Sequence, residues 1–142
     1  MLTYTRSYAA ANVVTGRDGT PMLTVNYPSS VTKSFDLQSF YFGCAINLGN
    51  GAAASPTQCN IQVTGYKGSD NSVSSAQQVC SRQFQYNPST AIGAQQMAYS
   101  KAISGCVGIQ FAIVTFTLPG GTSAASADLA LVLDDITYKT CQ

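Results

Sequence analysis

The sequence predicts an all-β chain: a two-sheet antiparallel β-sandwich with little helix, stapled by disulfides. Five segments alternate apolar and polar residues with a period of two, the spacing that turns one face of a strand to a core and the other to water. No segment sustains the period of about 3.6 residues expected of an amphipathic helix. Turn clusters rich in Gly, Pro, Asn, Asp and Ser separate the segments, as they do in sandwiches.

In chain order, residues 12–15 and 22–27 are the weaker strand candidates. Residues 35–42 begin as an alternation, Phe35-Asp36-Leu37, and end in the aromatic run Phe40-Tyr41-Phe42. Residues 59–66 place Cys59, Ile61 and Val63 on one face. Residues 79–86 set Cys80, Arg82, Phe84 and Tyr86 against Val79, Ser81, Gln83 and Gln85. Residues 91–103 hold Ile92, Met97, Tyr99 and Ile103 without a clear period, and fit a short helix or an irregular crossover. Residues 109–118 form the most apolar segment, and residues 129–138 close the chain. With no internal repeat and no linker, residues 1–142 are expected to form a single domain.

Cysteine usage points to an oxidising compartment. Cys44, Cys59, Cys80, Cys106 and Cys141 contain no Cys-x-x-Cys pair, and the chain has no histidine to complete a zinc site. Sequential pairing, Cys44–Cys59 and Cys80–Cys106, closes one hairpin-sized loop each and is the least demanding topology. Cys141 is then left over: it is a free thiol, it joins two chains as a homodimer, or its partner lies in missing upstream sequence. The start of the chain is polar and carries Arg6, so no signal peptide is read there. A secreted protein then implies trimmed sequence at the N-terminus. No apolar stretch reaches the roughly 18 residues of a membrane span, and no membrane partner is expected.

Composition narrows function further. Charged residues make up 9% of the chain, with seven Lys plus Arg against six Asp and a net charge of +1. Seven scattered cations supply no basic face for nucleic acid. His, Trp and Glu are absent, which removes His-based triads and glycosidases that depend on Glu. Sixteen serines stand without a His base or a Gly-x-Ser-x-Gly elbow. The chain is not expected to be an enzyme.

Two sets of residues carry the remaining chemistry. The pair Asp134-Asp135 lies inside an apolar run, where neighbouring strand residues face opposite ways and cannot form one dyad. A carboxylate on an apolar face needs a backbone N–H, a cation or a metal, and calcium is the hard ion that takes carboxylate oxygens. The alternative is an edge carboxylate that caps a loop. The second set is drawn from the eight tyrosines. Sugar rings pack their C–H faces on aromatic rings while their hydroxyls need polar neighbours. Tyr66 beside Lys67, Asp70 and Asn71 fits that chemistry in a turn, and Tyr27 beside Asn26 comes second. Each of these tyrosines also fits a half-buried place in a sheet.

The runs Ser34-Phe35-Asp36-Leu37-Gln38-Ser39-Phe40-Tyr41-Phe42-Gly43-Cys44 and Cys59-Asn60-Ile61-Gln62-Val63-Thr64-Gly65-Tyr66-Lys67 resemble fungal secreted proteins of unassigned role. The ending Leu131-Val132-Leu133-Asp134-Asp135-Ile136-Thr137-Tyr138 resembles the last strand of carbohydrate-binding-module jelly rolls with galactose-binding-like architecture. The resemblance spans residues 35–138. It implies a jelly-roll sandwich and a structural Ca²⁺ held by an aspartate of the last strand, Asp134 first and Asp135 second, with ligands from an early strand. The acidic strand that precedes the equivalent of Ala10 to Gly16 in that family is expected to lie upstream of Met1, and the calcium set is then expected to be incomplete. The expected function is that of a secreted, cell-wall-associated module binding a polysaccharide or other glycan without turnover. The alternative is a secreted structural or effector-type protein acting through protein contacts.

Overall fold

The computed structural model describes residues 3–4, 21–46, 55–90, 95–120 and 129–142. Among them it has no helix and nine strands: β1 (Thr3–Tyr4), β2 (Met22–Thr24), β3 (Ser34–Ile46), β4 (Ser55–Pro56), β5 (Cys59–Lys67), β6 (Gln77–Tyr86), β7 (Ala98–Tyr99), β8 (Phe111–Thr117) and β9 (Leu129–Cys141). Every pairing is antiparallel. One sheet runs β1-β2-β8-β5-β6. The other is built on β3, with β9 along one edge and the short β4 and β7 along the opposite edge. The expected all-β, two-sheet class is therefore what forms.

Alternation along β3 and β5 builds the core. Phe35, Leu37, Phe40 and Phe42 of β3 are buried, as are Cys59, Ile61 and Val63 of β5. Phe84 of β6 reaches across the layers to Phe40 and Phe42, with ring centroids 5.7 and 5.9 Å apart. Fully burying one such side chain contributes about 1.5–3 kcal/mol, so these contacts hold the two sheets face to face.

Both disulfides form in the sequential pairing, Cys44–Cys59 and Cys80–Cys106. Rather than closing hairpins within a sheet, they stitch one layer to the other. Cys44–Cys59 joins β3 to β5, and Cys80–Cys106 joins β6 to a segment hydrogen-bonded along β3, where Leu37 N–H donates to Cys106 C=O at 3.0 Å. The second bridge explains Gly65: a Cβ there would lie 2.7 Å from Cys80 Sγ. Cys141 is an unpaired, half-buried thiol at the end of β9.

Several segments differ from expectation. The candidate strand at residues 12–15 lies outside the described residues. The strand expected at 22–27 stops at Thr24, because Tyr27 N–H turns back to Val25 C=O and Ser30 N–H to Tyr27 C=O. In the ambiguous stretch, residues 91–94 lie outside the described residues, and residues 95–103 contain no helix. Ser100 N–H donates to Phe40 C=O and Ile103 N–H to Gln38 C=O, so this stretch is the edge of a sheet. β3 and β9 run longer than predicted, through two irregularities. Their register shifts between Leu37 and Ser39, where β3 carries the additional residue, and again between Ser39 and Tyr41, where β9 does.

Candidate functional site

The two loop clusters singled out in the sequence meet at one end of the β2-β8-β5-β6 sheet. Asn71, in the β5–β6 connection, has a positive φ of 58°, a conformation asparagine tolerates better than most residues. Its Oδ1 accepts from Thr24 Oγ1 at 2.7 Å and from Asn26 Nδ2 at 2.9 Å. Its Nδ2 donates to Asn26 C=O at 3.3 Å, and Asn26 Nδ2 also donates to Gly68 C=O. Gln110 joins the network, accepting Gly68 N–H at its Oε1 and donating its own N–H to Tyr66 C=O. The Tyr66 ring lies flat on Phe111, centroids 5.0 Å apart and planes 16° apart, and Phe111 is fully buried beneath it.

These side chains were expected to stand free in a turn. Instead Asn26 and Asn71 spend their amides on each other, and Tyr66 is half-buried by its own sheet. Tyr27 is half-buried too, while Lys67 and Asp70 face water. Asp70 is tied into its loop, accepting Ser75 Oγ at 2.7 Å and Ser72 N–H at 3.1 Å. The Ser75 hydroxyl first, then the Ser72 amide, hold its carboxyl below the usual carboxylate range.

Asp134 and Asp135 are both exposed. Asp134, one residue beyond Leu133 in unbroken register and opposite Tyr41, faces outward by plain alternation. Asp135, which alternation would turn inward with Leu131 and Leu133, is re-aimed by the irregularity in β9: it takes a positive φ of 46° and donates its N–H to Asp134 Oδ1 at 2.9 Å, as bulged residues do. Among the described residues, no group of three or more Cys or Asp comes together around them or elsewhere. Asp36, another carboxylate on β3, accepts Gly108 N–H at 2.7 Å.

The register gives Asp134 a different neighbour. It stands opposite Tyr41 of β3, and Tyr41 stands opposite Tyr99 of β7 on the other side. The three form one row across the outer face of this sheet. Tyr41 is 40% exposed and Tyr99 50%, with ring centroids 4.9 Å apart and planes tilted by 37°. The buried Ser100 fixes the pair from below: its N–H donates to Phe40 C=O at 3.0 Å and its Oγ accepts Phe40 N–H at 2.9 Å. Sequence reasoning did not single out this pair. A signal existed for Tyr41, because Phe40 and Phe42 pointing inward leave the residue between them pointing out. None existed for Tyr99, whose strand is two residues long.

The outer face of the other sheet carries a shallow groove of about 430 Å³. Asn60 and Gln62 of β5, Gln83 and Gln85 of β6, and Thr115 and Thr117 of β8 contribute side chains to it. None is charged. Gln62 Nε2 donates to Ser81 Oγ at 2.8 Å, so one of the four amides is anchored on the sheet itself.

No family model matches this chain, and no curated protein or solved structure does either.

Proposed function

We propose that the protein is a secreted, non-catalytic carbohydrate-binding protein that takes a cell-wall or other polysaccharide on the outer face of the β9-β3-β7 sheet. The observation that carries this is the exposed Tyr41–Tyr99 pair in one row with Asp134. Two adjacent rings offer an apolar surface to the C–H face of a sugar at little entropic cost, since each ring has few rotatable bonds. The carboxylate beside them accepts hydrogen bonds from sugar hydroxyls, which fixes orientation. A chain without His or Glu lacks two of the commonest acid–base groups for turnover, and two buried disulfides suit an oxidising, extracellular setting. The likeness of the last strand to carbohydrate-binding jelly rolls points the same way.

The test is a pull-down of the full chain on insoluble cellulose, chitin and β-glucan, with and without chelator. The wild type is expected in the pellet with at least one of them, and the Tyr41→Ala/Tyr99→Ala double variant in the supernatant. A double variant that binds like the wild type overturns this site, and a wild type that binds none overturns the function. Loss of binding in Tyr66→Ala, with the fold retained, moves the site to the loop cluster. Loss in the chelator arm alone supports the calcium expectation.

A second reading is favoured by the groove on the other sheet. A flat, uncharged face of amides and hydroxyls also suits a protein partner, as a structural or effector-type protein requires.

A further inference from the structure

We infer that Tyr41 and Tyr99 form a site of oxidative cross-linking, at which a peroxidase-type oxidant and hydrogen peroxide couple the two phenols into an intramolecular dityrosine. This modification stands apart from carbohydrate binding, although it uses the same pair.

Four features of the molecule favour coupling here. Of the aromatic contacts among the described residues, this one alone joins two tyrosines; the others each include a phenylalanine. Both rings are open to solvent, so a one-electron oxidant or a small mediator reaches either phenol. The rings are held together by the frame beneath them, because Tyr41 and Tyr99 are directly opposed in register and Ser100 is bonded twice to Phe40. The chain also has no tryptophan to act as a competing radical sink.

The chemistry balances as follows. Each phenol loses one electron and its phenolic proton, giving two phenoxyl radicals. A carbon–carbon bond forms between ring carbons ortho to the two oxygens. The hydrogens on those carbons then leave as protons while two protons return to the oxygens, which restores both aromatic rings. Hydrogen peroxide accepts the two electrons and two protons and departs as two waters. The pairing of radicals on one chain outruns pairing between chains because the partner ring is already in place, the advantage of any pre-oriented intramolecular reaction.

The experiment treats the full, disulfide-intact chain with a haem peroxidase and hydrogen peroxide. It follows dityrosine fluorescence, intact mass and the cross-linked peptide after digestion. The expected product is a monomer lighter by two hydrogens, with Tyr41 and Tyr99 in one linked peptide. Tyr41→Phe and Tyr99→Phe are each expected to abolish that product. A wild type that gains no dityrosine, that couples only between chains, or that links other tyrosines overturns the inference, as does undiminished monomer fluorescence in both variants. The phenylalanine variants are read for coupling alone; the wild type serves for both proposals. Wild-type binding without coupling sinks this inference alone, and coupling without binding sinks the carbohydrate reading alone.

Discussion

Replacing Asn71 by alanine tests whether the network between the β2 and β5–β6 loops is a unit of stability. The substitution removes the acceptor of the Thr24 hydroxyl, and Thr24 is 1% exposed. Its one remaining acceptor is Gln110 C=O at 3.5 Å, at the limit of a useful hydrogen bond. Leaving such a buried donor poorly satisfied costs about 1–2 kcal/mol. Asn26 keeps its bond to Gly68 C=O, so its amide contributes little to the loss. Holding alanine at a φ of 58° costs about another 1 kcal/mol. The expected destabilisation is about 2–3 kcal/mol, which for a chain of this size lowers Tm by roughly 5–10 °C. Thermal and denaturant unfolding under non-reducing conditions measure it. Asn71→Gly, which adopts positive φ freely but loses the same bonds, is expected between the wild type and Asn71→Ala. Asn26→Ala combined with Asn71→Ala is expected to cost less than the two singles added, by at least about 0.5 kcal/mol. An alanine variant as stable as the wild type, or strictly additive singles, refutes the network.

Removing either disulfide as a Cys→Ala pair is expected to lower stability substantially. The 15-residue separation of Cys44–Cys59 and the 26-residue separation of Cys80–Cys106 correspond to about 3 and 3.5 kcal/mol on the loop-entropy model. An unchanged guanidinium midpoint in either pair contradicts that. Asp70 is expected to titrate below the ordinary aspartate value of about 3.9, because Ser75 and Ser72 hydrogen-bond its charged form. With the folded pKa depressed, its contribution to loop stability is present above the ordinary value and fades as pH falls through the lowered one. Carboxyl NMR should show this, and Ser75→Ala should move the midpoint up; no movement removes the hydroxyl as the cause.

The fold was legible where burial follows a simple period. Cys59, Ile61 and Val63, or Phe35 and Leu37, announce their faces because each strand packs one side on a core. The disulfide pairing was legible as well, though not its role between layers, since nothing local says which sheet a strand joins. The β7 segment was not legible: Tyr99 and Ser100 line the edge of β3 only because Tyr41 and Phe40 stand opposite them. The loop residues were placed in the right neighbourhood but with the wrong freedom. That Asn26 and Asn71 face each other depends on contacts between residues 45 apart, which turn chemistry alone cannot foresee. Asp134 was noticed for its apolar surroundings, yet it alternates outward opposite Tyr41, and the bulge at Asp135 keeps the second carboxylate in water as well.

The two irregularities of the β3–β9 pair act like a frameshift followed by its suppressor. Leu37 faces Tyr138 before them and Tyr41 faces Asp134 after them, and the offset between the strands is the same on either side. One inserted residue on each strand cancels the other, so Phe42 through Ile46 meet Leu133 through Leu129 as though neither existed. A change of length on one strand alone would carry the error to the end of the ladder and invert every side chain beyond it, taking Leu131 out of the core. Matched changes on both strands would leave the core untouched. Length variation at this place in the chain is therefore confined to pairs, and the two positions, almost a hundred residues apart in sequence, are free to vary only together.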